Sequence, residues 1–331
     1  MRYDDQDRES SNVEDRRGQR GGFPFPGGGI QIPIGGRGGF SLTTLLILGA
    51  IMLFFGINPL DILTGGGRGI DVPQLPRMDQ SPRPTANRNP FEIPGLPGSG
   101  SSSGSGRQTQ TAPAPGHSDE MGTFIKRVLA DTEDVWNRVF QTFGKSYREP
   151  KLVLFTGGTQ TACGPGMSAM GPFYCPLDQK IYVDLAFYEQ LKRRFQAPGD
   201  FAQAYVIAHE VGHHVQALLG IADKVQSLKS RMSEREANAL QVRMELQADC
   251  LAGVWANLNH QLNKRLEQGD IEEGLNAASA IGDDMIQKKT QGYVVPDAFT
   301  HGSSAQRVRW FRTGFDAGQM QSCDTFSQDR L

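Results

Sequence analysis

The apolar positions divide the chain into a first third without helical or strand periodicity and a patterned remainder. Residues 1–37 begin charged and then become rich in glycine and proline, which predicts a disordered segment. Residues 38–60 contain no charged side chain, and residues 42–57 are almost wholly apolar. At about 1.5 Å per helical residue this stretch just crosses a hydrocarbon core of about 30 Å, so it predicts one transmembrane helix. Residues 61–116 are dominated by proline, glycine and serine, which predicts a flexible linker.

Two other interpretations of residues 38–60 remain open, a buried core helix and a cleaved signal peptide. The first is disfavoured because low-complexity segments flank the stretch and offer nothing to bury it. The second is disfavoured because no small-x-small cleavage site follows Ile57. Only Arg68 lies close after the span, whereas four arginines precede it: Arg16, Arg17, Arg20 and Arg37. We therefore expect a single-pass protein of the cytoplasmic (inner) membrane, with residues 1–37 in the cytoplasm and the remaining chain on the periplasmic or extracytoplasmic side.

Residues 117–331 have the size and the patterning of one folded domain. Apolar residues recur there at three- and four-residue steps, and Gly220 offers a stop, which predicts a helix carrying Ala204, Ile207, Ala208, Val211, Val215 and Leu218 on one face. Further helices are expected within residues 227–262 and over residues 303–316, and strands at Lys151–Phe155 and Lys180–Asp184. The elements predict an α+β fold that is mostly helical with a small sheet.

All four cysteines lie in this domain, and an even number outside the cytoplasm favours two disulfides. Three pairings are possible. Cys163 and Cys175 flank a loop rich in glycine and proline and would close it locally, which leaves Cys250 to pair with Cys323. A zinc site made of these thiols is disfavoured because the chain has no C-x-x-C pair.

Neither the composition nor the two histidines outside the motifs indicate a function. The formal net charge of −2 gives no reason to expect a nucleic-acid partner. His117 begins the domain and His260 lies on a polar face, so we assign neither a functional role.

Candidate chemistry is concentrated in the stretch "AHEVGHHVQ", residues 208–216. His209 and His213 are four residues apart and therefore project from the same side of the predicted helix. His214 lies about 100° further round, so we expect it at the surface or in a layer behind the pair. Two imidazoles suit zinc, but a catalytic ion needs a third protein ligand and one open position.

The third ligand is expected in "MELQADC", where Glu245 and Asp249 are again four residues apart. Both are embedded among apolar residues, and carboxylates on the buried side of a helix are costly unless they are paired or bound to a metal. The alternative of an exposed acidic face suits Glu234 and Glu236 better.

"HEVGH" followed by "E-x-x-x-D" resembles the gluzincin arrangement, of which thermolysin is the familiar example. The longer segments around the two motifs, "VIAHEVGHHVQ" and "ELQADCLAGVWA", resemble those of a bacterial family of neutral zinc metallopeptidases. The likeness covers roughly residues 124–326 and extends to the predicted N-terminal span. It implies a zincin-like metallopeptidase domain.

The resemblance assigns a role to each residue of the two motifs. His209, His213 and Glu245 would bind Zn²⁺, which lowers the pKa of a bound water and polarises the scissile carbonyl group. Glu210 would act as the general base and return the proton to the leaving amine. Asp249 would accept the free ring N–H of His209 and fix its tautomer.

The resemblance also suggests where substrate binds. Zincin-type peptidases hold a peptide against a sheet edge, which we expect at Lys180–Asp184. His301 and the helix after it resemble a segment of the membrane heat-shock and prenyl-protein peptidases, in which a residue assists the transition state, so His301 is a catalytic candidate. The alternative is a loop histidine that caps the helix. Arg307 is either a substrate contact or a salt-bridge partner.

The sequence thus predicts a membrane-anchored, extracytoplasmic zinc metalloendopeptidase acting on a peptide or protein substrate. An intramembrane protease is disfavoured because such enzymes need several spans and the chain offers one. The third hypothesis is a catalytically inert zincin-fold domain that serves as a tethered scaffold or binding module.

Overall fold

The computed structural model describes residues 1–18, 119–328 and 331, and most of these residues are helical. The strands in these ranges are β1 (Val13–Asp15), β2 (Lys151–Phe155), β3 (Gly158–Thr161), β4 (Gly164–Met167), β5 (Phe173–Cys175) and β6 (Lys180–Asp184). The helices are α1 (Glu120–Thr142), α2 (Ala186–Arg193), α3 (Asp200–Leu218), α4 (Ile221–Lys229), α5 (Glu234–Asn263), α6 (Asp270–Ala280), α7 (Asp283–Gln291) and α8 (Ser304–Ala317). The predicted mostly helical domain with a small sheet is confirmed.

The sheet of four strands has the order β1-β2-β6-β5. Strands β1, β2 and β6 are parallel, β5 is antiparallel to β6, and β3 with β4 forms a separate hairpin. Both predicted strands have the expected bounds. The expectation that Lys180–Asp184 is the edge strand is wrong, because β5 covers its outer side. Only three residues long, β5 is too short to show a strand period in the sequence.

Residues 1–18 form an ordered strap on the domain, and the prediction that they are disordered is wrong. Val13–Asp15 pairs with β2. The Tyr3 hydroxyl donates to Asp131 at 2.9 Å, and Nη1 of Arg8 lies 2.7 Å from the buried carboxylate of Glu133. The residues that hold the strap lie more than a hundred positions away in the sequence. The strap itself therefore has no local apolar period from which its structure could be predicted.

The strap also overturns the predicted topology. Arg17 forms an ion pair with Asp119, so the strap and the start of α1 lie side by side. A single membrane crossing would separate them. Among the described residues, no helix combines the length and hydropathy that a crossing requires. The predicted single-pass topology and inner-membrane localisation are therefore wrong, and the described residues show only a mostly helical domain with a small sheet. Residues 38–60 and the linker 61–116 lie outside the described residues.

Three helices, α3, α5 and α8, pack around the largest hydrophobic core. Helices α5 and α8 touch backbone to backbone, since a Cβ on Gly253 or Gly314 would collide with the opposite helix. Helices α3 and α5 are also close, because a Cβ on Gly212 would lie 3.0 Å from the carbonyl oxygen of Ala248. This close approach brings the side chains of the two predicted motifs within reach of one another.

Two disulfides connect the elements, and the predicted pairing is confirmed. Cys163–Cys175 joins the turn of the β3–β4 hairpin to the end of β5, with a Cα–Cα distance of 5.8 Å. Cys250–Cys323 joins α5 to the chain after α8, with a Cα–Cα distance of 5.5 Å.

Candidate metal centre and catalytic cleft

The crossing of α3 and α5 brings together His209, His213 and Glu245, whose potential ligand atoms all lie within 4.8 Å of one another. Oε2 of Glu245 lies 3.2 Å from Nε2 of His209 and 3.3 Å from Nε2 of His213. Two imidazole nitrogens and one carboxylate oxygen are the donor set of a catalytic zinc ion with one position left for water or substrate. The residues therefore fit the metal that the two motifs predict.

The electrostatics of these three groups favour a cation where they converge. Burial raises the pKa of Glu245, but the charge of His213 and hydrogen bonds from both histidines hold it well below its usual range. Burial lowers the pKa of His213, but the charge and hydrogen bond of Glu245, together with the charge of Glu210 and the hydrogen bond of Gln216, raise that pKa to about 9. The site therefore combines a negative charge with two imidazole nitrogens, which suits a bound cation.

His209 is oriented by a buried network behind it. Its Nδ1 lies 2.8 Å from Oδ1 of Asp249, as predicted for this pair. Asp249 also accepts from the Tyr205 hydroxyl and from Nε of Arg307, the latter at 2.8 Å. Burial raises the pKa of Asp249, but Arg307 and His209 lower it to about 2. An ionised Asp249 accepts the Nδ1–H of His209 and leaves Nε2 free for a metal. Of the two predictions for Arg307, the salt bridge is confirmed.

His213 is oriented by a glutamine from its own helix. Nδ1 of His213 lies 2.9 Å from Oε1 of Gln216. Nε2 of Gln216 donates to the Met244 carbonyl at 2.7 Å and to Oε1 of Gln247 at 3.0 Å, so the amide can present only its oxygen to the histidine. Gln247 in turn donates to the Cys323 carbonyl at 2.9 Å.

His214 lies apart from the metal ligands, as predicted, and of the two positions expected for it, at the surface or in a layer behind the pair, the surface position is wrong. It is fully buried, and burial lowers its pKa to about 4. Nε2 lies 2.6 Å from the carbonyl oxygen of Arg148, and Nδ1 lies 3.0 Å from the Tyr174 hydroxyl. The neutral ring therefore donates to Arg148 and accepts from Tyr174, which ties strand β5 to α3.

A cavity of about 350 Å³ opens over the three ligands. Glu210, mostly buried, lines it, and so do Phe173 and Tyr174 of the edge strand β5. The apolar part of the wall includes Met170, Phe187, Phe195, Val206, Ile281 and Ile286. The cavity thus places a carboxylate, an apolar wall and a sheet edge around the candidate metal position.

His301 also lines this cavity. Its Nδ1 lies 3.3 Å from Oδ1 of Asp283, and the other oxygen of Asp283 accepts the backbone N–H groups of Thr300, His301 and Gly302 at 2.6–3.0 Å. Burial lowers the pKa of His301, but the hydrogen bond and charge of Asp283 raise it to about 9. The alternative that His301 caps α8 is wrong, because the side chain of Ser303 does so.

A second group of acidic side chains, Asp200, Asp270 and Glu273, also lies close enough to hold a cation. The amino group of Met1 lies 2.7 Å from Asp200 and 3.1 Å from Asp270. The ammonium group therefore already neutralises part of the negative charge of these carboxylates, so they do not form a metal site.

Sequence reasoning missed three residues that contact the predicted ligands or Asp249. Tyr205 precedes His209 by four residues, Gln216 follows His213 by three, and Gln241 precedes Glu245 by four. The helical spacing that revealed the ligands could have revealed these neighbours as well. Asp283 had no such signal, because it lies on α7 whereas His301 lies in the loop before α8.

Comparisons with known proteins show which family the chain is related to. A family model described as "Putative neutral zinc metallopeptidase" matches residues 1–93 and 87–326. The chain is 46% identical over 321 residues to the uncharacterized protein YpfJ of Escherichia coli, covering 97% of each. It is 42% identical over 211 residues to the uncharacterized protein Rv2575 of Mycobacterium tuberculosis, covering 61% of this chain and 70% of that protein. No solved structure matches. The chain therefore belongs to the neutral zinc metallopeptidase family that its motifs resemble.

Proposed function

We propose that the protein is a zinc-dependent endopeptidase in which His209, His213 and Glu245 hold the metal. The observation that carries the proposal is the meeting of these three ligands with Glu210 in the wall of one cleft. Bound zinc acts as a Lewis acid and lowers the pKa of a water molecule.

Glu210 is the general base of this proposal. Its carboxylate lines the cleft and has no hydrogen-bond partner among the described residues, so it is available to take a proton from the attacking water. The same carboxylate then returns the proton to the leaving amine.

His301 stabilises negative charge on the carbonyl oxygen of the substrate. Asp283 keeps the ring protonated at neutral pH and holds it beside the cleft, so an N–H donor is in place before the reaction starts.

The substrate is an extended peptide that adds to the edge of β5. This strand ends the sheet among the described residues and lines the cleft with Phe173 and Tyr174. Backbone hydrogen bonds to a sheet edge recognise any peptide, and the apolar wall of the cavity adds a preference for an apolar side chain.

The test separates the base from the ligands. Glu210→Gln keeps the size of the side chain but cannot take a proton, so it should retain about one zinc per protein and lose roughly 10²–10⁴-fold in peptide hydrolysis. His213→Ala and Glu245→Gln should lose zinc as well as hydrolysis. Metal analysis and digestion of a peptide library provide both readouts.

Glu189→Gln, which changes an exposed glutamate paired with Arg193, serves as the matched control and should match the wild type. A wild-type protein that binds no zinc would refute the metal site. A fully active Glu210→Gln variant would refute the mechanism.

A further inference from the structure

The two oxygens of Glu245 have different partners. Oε2 faces the two histidines, whereas Oε1 accepts a hydrogen bond of 2.7 Å from Nε2 of Gln241. Gln241 lies one helical turn before Glu245 on α5, so both side chains project from the same face. A carboxylate can bind a metal through one oxygen or through both, and the amide competes for the second oxygen.

Lys229, the last residue of α4, fixes the amide of Gln241 from the other side. Its Nζ donates to Oε1 of Gln241 at 2.6 Å. An ammonium group has no acceptor, so the amide cannot turn its nitrogen towards Lys229 and must present that nitrogen to Glu245. A chain of hydrogen bonds that starts at a cation is polarised along its length, which strengthens the bond to Oε1.

The environment of Lys229 supports a role for it. Burial lowers the pKa of its amine, and within the described ranges Nζ has no ion-pair partner. Withdrawing a cation from water without an ion-pair partner is costly. The carboxylate of Glu245 lies just beyond the Gln241 amide and compensates this charge from a distance.

The other two ligands are held by groups from α3, α5 and α8. Asp249, backed by Arg307, orients His209, and Gln216 orients His213. Among these three ligands, only Glu245 is held through a hydrogen-bond chain that includes a residue of α4. This helix contributes no residue to the wall of the cleft.

We infer that Gln241, held by Lys229, is a positioning residue that limits Glu245 to binding the metal through Oε2 alone. The inference rests on the proposed zinc site. It makes the end of α4 part of the support of the metal centre and predicts a loss of zinc affinity when either hydrogen bond is removed.

The experiment measures zinc affinity by competition with a chromophoric chelator, using the full chain. Gln241→Leu keeps a side chain of similar size without the amide, and it should weaken zinc binding roughly 10–100-fold, as for other residues that hold a metal ligand in place. Lys229→Met should weaken it in the same direction by a smaller factor. The absorption spectrum of the cobalt-substituted protein should change in Gln241→Leu, because the second oxygen of Glu245 becomes free to coordinate.

Gln261→Leu is the matched control, since Gln261 is an exposed glutamine on the same helix that donates a hydrogen bond to Asn257 and lies away from the cleft. It should leave affinity and spectrum unchanged. Melting of the metal-free proteins separates positioning from packing: a Gln241→Leu variant with lower stability but unchanged zinc affinity and cobalt spectrum overturns the inference. If the wild type itself binds no zinc, the proposed function fails. If the wild type binds zinc and both Gln241→Leu and Lys229→Met bind it equally tightly, this inference alone fails.

Discussion

At the scale of single residues, Asp283 controls both the position and the charge of His301. One of its oxygens accepts three backbone N–H groups of the loop that carries the histidine, and the other lies beside the ring. The two effects are separable, because an amide at this position can still accept backbone hydrogen bonds but carries no charge.

Asp283→Asn should therefore shift the pH dependence of hydrolysis. The pKa of His301 is raised to about 9, so the protonated ring is present below that pH and is lost as the pH rises through it. Wild-type kcat/KM should decline above about pH 9. Without the charge of Asp283 the pKa falls towards the ordinary histidine value of about 6.5, and the decline should begin at a correspondingly lower pH.

The control for this profile is Asp284→Asn. Asp284 is the adjacent carboxylate, but it contacts Ser304 at the start of α8 and not the histidine. Its profile should match the wild type. Identical pH profiles for all three proteins would show that protonation of His301 does not contribute to hydrolysis.

Individual site residues could be predicted from the sequence only on helices, where the spacing between two residues shows whether their side chains project from the same face. His209 with His213, and Glu245 with Asp249, could be placed on shared faces because four residues make about one turn. The neighbour of His301 could not be found in this way. Asp283 lies eighteen residues before it at the start of α7, whereas His301 lies in a loop, and only the tertiary fold brings them together.

At the scale of elements, one hydrogen bond and one disulfide tie β5 to elements other than its neighbour β6. The Tyr174 hydroxyl bonds to His214 on the metal-binding helix α3, and Cys175 is linked to Cys163 in the hairpin turn. The strand has only three residues and one neighbouring strand. Its position at the cleft therefore depends on these contacts more than on its own ladder of hydrogen bonds.

Replacing Cys163 and Cys175 together by serine should loosen β5. The disulfide closes a loop of sequence separation 12, and removing it should cost on the order of 3 kcal/mol of stability. We expect faster amide hydrogen exchange in residues 173–175 and a higher KM for peptides, with zinc content unchanged. Replacing Cys250 and Cys323 is the comparison and should leave exchange in β5 unaltered. Equal protection of β5 with and without the first disulfide would show that the Tyr174 contact suffices.

Element bounds were predictable where the local pattern was strong, as at β2, β6 and α8. The place of each strand in the sheet was not, because strand order depends on which segments meet in space. Strand β6 has the sequence of a clear strand, but whether it lies inside the sheet or at its edge depends on β5, which has no pattern of its own. Strand β1 comes from a charged segment, and its pairing with β2 spans 139 positions of sequence between Val13 and Leu152.

At the scale of the whole molecule, the strap of residues 1–18 and the body of residues 119–328 form one folding unit. Strand β1 covers the outer edge of β2, and buried carboxylates on α1 bind the strap. A domain started at residue 117, as the sequence suggests, would expose that sheet edge and leave Glu133 without Arg8, Ser10 and Asn12. Buried charges that lose their partners are strongly destabilising.

The contact between Arg17 and Asp119 has a practical consequence for engineering the chain. The two ends of the intervening sequence already lie next to each other, so a bridge of about eight glycine and serine residues spans the gap without strain. We expect a chain of residues 1–18, this bridge and residues 119–331 to melt within a few degrees of the full-length protein and to bind the same amount of zinc. Residues 119–331 alone should melt at a clearly lower temperature. If both shortened chains melt alike, the strap is dispensable. If the bridged chain keeps its stability, the junction between residues 18 and 119 is a site at which other domains can be inserted or exchanged without disturbing the metal centre.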